Sequence, residues 1–62
     1  MSLAAELGSL STSLDELAGR LTRLAEGLTG AQAEAVGSTL FEVERTLQAA
    51  SRRLARAVGD AG

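Results

Sequence analysis

The side chains of this 62-residue chain that could carry chemistry are eight carboxylates, six arginines and a scatter of serines and threonines. His, Cys, Tyr and Trp are absent, and every basic residue is Arg. Acid–base catalysis by two carboxylates needs them to converge on one cleft. Asp15 and Glu16 are adjacent and Glu42 and Glu44 lie two apart, so on helices both pairs diverge. A serine or threonine nucleophile needs a neighbouring base, and neither His nor Lys is present to be one. The usual zinc ligands are missing, and the acids do not cluster as a calcium site requires. The expectation is therefore a non-enzymatic protein with no catalytic, cofactor-binding or metal-binding residues and no small-molecule substrate.

Two local features remain. Arg52, Arg53 and Arg56 form the densest charge cluster. Such a cluster can contact phosphate or an acidic partner, and it can equally complement the negative end of a helix. With a net charge of −2 and no aromatic side chains for stacking beyond Phe41, nucleic acid is not the expected partner. Phe41 itself falls outside the main apolar repeat. With Gly37 and Ala55 on its side of a helix, it marks a possible second interface.

The elements that would position these groups are written in the leucines. Leu3, Leu7, Leu10, Leu14, Leu17, Leu21, Leu24 and Leu28 follow one another in steps of 4 and 3 without a slip. That is the period of a helix packed along its length against another. Ala4, Ser11, Ala18 and Ala25 each follow one row of those leucines. They widen the apolar stripe to three positions per heptad, as suits a bundle. The stretch from Gly8 to Ser13 is poor in helix formers, and Ser13 with Glu16 could cap a later start. The unbroken leucine phase favours one continuous helix over about residues 3–26.

Punctuation follows at residues 27–30. Gly27 is placed to end the helix in a left-handed conformation. Thr29 with Gln32 makes a capping box for a second helix, and Leu28 can staple onto Ala33. A stop and restart this close implies antiparallel neighbours. The second helix, about residues 30–58, carries Ala33, Val36, Leu40, Val43, Leu47, Ala50, Leu54, Ala57 and Ala61, again in steps of 3 and 4. Folded at the turn, the chain pairs Leu24 with Val36, Leu21 with Leu40, Leu17 with Val43, Leu14 with Leu47, Leu10 with Ala50 and Leu7 with Leu54. The tail from Gly59 is expected to fray.

The sequence thus predicts a single all-α domain over residues 1–62, an antiparallel helical hairpin. Domains of this size bury too little surface to be robust alone. Without disulfides or zinc, the remaining device is assembly, so the hairpin is expected to dimerise into a four-helix bundle or to fold onto a helical protein partner. The expected function is a small interaction or oligomerisation module acting through leucine-rich faces. The alternative is a regulator that docks on a transcription or nucleic-acid-associated partner through Arg52, Arg53 and Arg56. No apolar run is long enough to span a membrane, and Met1 to Leu10 lacks the basic leader and apolar core of a secretory signal. A cytoplasmic location is the expectation.

Overall fold

The computed structural model describes residues 2–62. Two helices account for nearly all of them, α1 over Leu3–Glu26 and α2 over Gly30–Ala61. Ser2 starts α1: its backbone is extended and its hydroxyl accepts a hydrogen bond from the Ala5 amide at 3.1 Å. With that cap made, the helix begins well before Ser13 and runs unbroken through the Gly8–Ser13 stretch. Thr12 bonds back within that stretch, donating its hydroxyl hydrogen to the Gly8 carbonyl at 3.2 Å. Thr22 and Thr46 bond back one turn in the same way, to Ala18 and Glu42. This is how a residue that often competes with helical backbone is accommodated inside a helix.

The turn corrects one expectation. Gly27 stays right-handed, at φ −86° and ψ −5°, and its amide donates to the carbonyls of Arg23 and Leu24, both at 3.2 Å. Because those bonds close α1 without a left-handed residue, the reversal is deferred. Thr29 is extended, and Gly30 takes the positive φ, +55°. Thr29 does occupy the cap position of α2, but its side chain makes no capping hydrogen bond, so the capping box with Gln32 is not formed through the hydroxyl. The far end differs as well. α2 continues to Ala61, and the Gly62 amide bonds to the Val58 carbonyl at 3.1 Å, so the tail after Gly59 is helical.

The helices lie against each other as an antiparallel hairpin measuring 46 × 15 × 11 Å. Its radius of gyration is 14.5 Å, against about 10.6 Å for a compact domain of this length. Among the described residues only Ala25 is buried, at 9% exposure. The hairpin therefore has a seam but no enclosed core.

Candidate protein-interaction face

The expected seam divides in two. Leu7, Leu14 and Leu21 of α1 are half-buried, and so are Ala4, Ser11 and Ala18 beside them, with Ala25 fully so. On α2 the half-buried rows are Ala33, Leu40, Leu47 and Leu54, and Gly37, Glu44, Ser51 and Val58. These are the surfaces the two helices turn toward each other. The other seam residues expected from the leucine repeat are placed elsewhere. Leu3, Leu10, Leu17 and Leu24 are between 51% and 66% exposed, and Val36 and Val43 are 43% and 40% exposed. The physical reason is size. Ala4, Ser11, Ala18, Ala25 and Ser51 are small enough to be turned toward the other helix, and turning them inward rotates the neighbouring leucines and valines out.

Those outward rows share one side of the hairpin. In α1 each exposed leucine follows a seam leucine by three residues and precedes a small seam residue by one. In α2, Val36 and Val43 stand in the same relation to Ala33, Leu40, Gly37 and Glu44. Antiparallel helices are related by an approximate two-fold axis perpendicular to the hairpin plane, and that axis keeps equivalent rows on the same face. The outcome is a two-column apolar face, the exposed leucines on α1 and, on α2, the exposed Val36 and Val43 followed by the half-buried Ala50 and Ala57. Contiguous apolar patches of this kind mark interaction sites on small proteins.

Contacts across the seam sit about one turn further along α2 than numerical pairing at the turn would place them. Leu14 shares an open groove with Ala50, Leu54 and Ala57, and Ser51 donates a hydrogen bond to the Asp15 carboxylate. Side chains on a helix lean toward its N-terminus. On antiparallel helices they therefore lean toward one another and meet offset from the level of their backbones.

Of the remaining candidate residues, Arg53 borders this face, lining the groove of Leu14, Ala50 and Leu54, and the others lie off it. Phe41 is 59% exposed and Ala55 is exposed, whereas Gly37 belongs to the seam. A Cβ built at Gly37 would meet nothing within 4 Å, so no close approach depends on that glycine within the hairpin. Arg52, Arg53 and Arg56 line one shallow depression with Ala49, on the outer surface of α2. Of the acids, Glu44 is half-buried and accepts a hydrogen bond from the Gln48 amide at 3.4 Å, while Asp15, Glu16 and Glu42 are exposed. Among the described residues no group of three or more acids could hold a metal ion, and no helix is long and apolar enough to cross a membrane. Compared with known proteins, the chain matches no family model, no curated protein and no solved structure.

Proposed function

We propose that this protein is a non-enzymatic interaction and oligomerisation module whose working surface is the two-column face of Leu3, Leu10, Leu17, Leu24, Val36 and Val43. The observation that supports this reading is that Ala25 alone is buried among the described residues. Such a hairpin leaves its large apolar side chains half in water, and burying a Leu fully is worth about 1.5–3 kcal/mol. The accessible surface of 4595 Å² exceeds by about 850 Å² the roughly 3,750 Å² of a compact monomer of this mass. A helical partner laid on the face would remove that excess.

Absolute mass by light scattering and helicity by circular dichroism, over a concentration series, test the reading. The chain and its Leu10→Glu/Leu17→Glu variant are compared. The expected result is assembly in the wild type and loss of both mass and helicity in the variant. A fully helical wild-type monomer indistinguishable from the variant would refute it.

A second reading is supported by Arg52, Arg53 and Arg56 lying together in one depression. In it the cluster is the polar contact of a regulator that docks on a nucleic-acid-associated partner. A salt titration of binding to duplex DNA and to RNA tests direct contact with phosphate. A steep fall in affinity with salt supports it, and no binding at low salt removes that contact.

A further inference from the structure

We infer that the occupant of the apolar face is a second copy of this chain, laid on it with the two turns at the same end. The inference rests on the reading of the face as an interface and names its partner and orientation. Two observations carry it. The first is area: the excess of about 850 Å² over a compact monomer equals what one partner contributes to a standard interface, about 800 Å². The second is that the face is complementary to itself in only one of its two symmetric arrangements.

A two-fold axis that stacks one face on another lies in the plane between them, and for hairpins aligned with each other it runs either along the helices or across them. With the axis across the helices, the turns lie at opposite ends and like columns meet. Leucines then stack on leucines along one side, while along the other α2 lies on α2, with Val36 over Ala57 and Val43 over Ala50 when the copies fully overlap. The layers would be wedged apart on the α1 side and leave a void on the α2 side, contrary to the uniform density of protein interiors. With the axis along the helices, α1 of each copy covers α2 of the other. Leu24 and Leu17 then lie over Val36 and Val43 of the second copy, and Leu10 and Leu3 over its Ala50 and Ala57. At every level the larger side chain comes from α1 and the smaller from α2, most sharply where Leu10 and Leu3 meet alanines, which is how packed layers interdigitate. At the rim, exposed Glu6 of one copy comes level with exposed Arg53 of the other, so the charges bordering the face are also complementary. All four neighbouring helix pairs are antiparallel.

The test uses the full chain carrying Thr29→Cys at the turn. Thr29 is exposed and makes no side-chain capping bond, and the chain has no other cysteine. A nitroxide is attached, and the distance between labels is measured by pulsed dipolar electron paramagnetic resonance on samples whose mass is known from light scattering. The expected result is a dimer with a label separation on the order of 10–20 Å, set by helix spacings of 8–10 Å plus the label arms. A dimer with labels apart by about the 46 Å length of the molecule overturns the orientation and leaves the face as the interface. A poorly helical monomer overturns the second copy as occupant, while the face remains in need of a different helical partner. A dimer whose mass survives Leu10→Glu/Leu17→Glu overturns the reading of the face itself.

Discussion

Leu17 and Phe41 are the most informative pair of side chains to truncate, because exposure alone cannot rank them as the face argument does. Leu17 is 51% exposed in the hairpin and Phe41 is 59% exposed. If assembly were general adhesion of exposed apolar groups, Phe41→Ala would weaken it at least as much as Leu17→Ala. The face geometry says otherwise, since Leu17 stands in the apolar column and Phe41 points away from it. About half of Leu17 is left for a partner to cover, and full burial of a Leu is worth about 1.5–3 kcal/mol, so each copy contributes roughly 0.8–1.5 kcal/mol. A symmetric dimer contains the residue twice, giving about 1.5–3 kcal/mol in total, or a tenfold to hundredfold rise in dimer Kd at 1.4 kcal/mol per decade. Phe41→Ala should move Kd by less than threefold. Sedimentation equilibrium on both variants, with refractive-index detection because the chain lacks Trp and Tyr, reads the two constants. A shift from Phe41→Ala equal to or larger than that from Leu17→Ala would place the interface on the other side of α2 and refute the assignment.

The backbone offers further tests, each read as a thermal midpoint by circular dichroism at one fixed protein concentration. Gly30→Ala puts a Cβ at φ +55° and should destabilise by about 1–2 kcal/mol, which in a domain of this size lowers the midpoint by several degrees. Gly27→Ala, right-handed and with only ordinary van der Waals contacts waiting for its Cβ, should be nearly neutral or mildly stabilising. Equal losses at the two sites would mean the turn is not the one described. Gly37→Ala should stabilise by about 0.5–1 kcal/mol, since the new methyl meets nothing within 4 Å inside a regular helix; a loss would reveal a neighbour packed on that glycine. Ser2→Ala removes the cap on α1 and should cost about 1 kcal/mol, with faster amide exchange confined to the first turn.

The period of the leucines made both helices and their antiparallel order legible before any coordinate. The choice of which rows face inward was not. A stripe of three positions per heptad contains two possible seams, one through the leucine rows alone and one through Leu7, Leu14 and Leu21 with their small neighbours. Hydrophobicity favours the first. Small side chains favour the second, because Ala18 and Ala25 can lie against a neighbouring helix without holding it off. The small residues were visible in the sequence, and their alignment with the seam was the available signal. The turn was ambiguous for a similar reason: Gly27 and Gly30 are equally able to adopt a left-handed backbone, and the hydrogen bonds of the Gly27 amide to Arg23 and Leu24 decide between them. Arg52, Arg53 and Arg56 lie on α2, but because the helix runs on to Ala61 none of them is in its last turn, so the pull of a helix C-terminus does not account for the cluster.

In the proposed dimer the two rows of leucines on α1 have different neighbours, and folding would be tied to association. The seam row needs only the turn to bring α2 alongside; the outward row would be covered by the second copy. Among the described residues the seam encloses one alanine, so the proposed second copy is expected to supply much of the burial that offsets the chain entropy of ordering the two helices. For such a protein, stability depends on protomer concentration. Dilution is therefore expected to remove helix and dimer together, with the loss of ellipticity and the loss of mass falling on one curve. If ellipticity instead stays constant while the mass drops to that of one chain, then the contacts within the hairpin suffice to fold it, and the apolar face is a binding site on a preformed surface rather than half of the core.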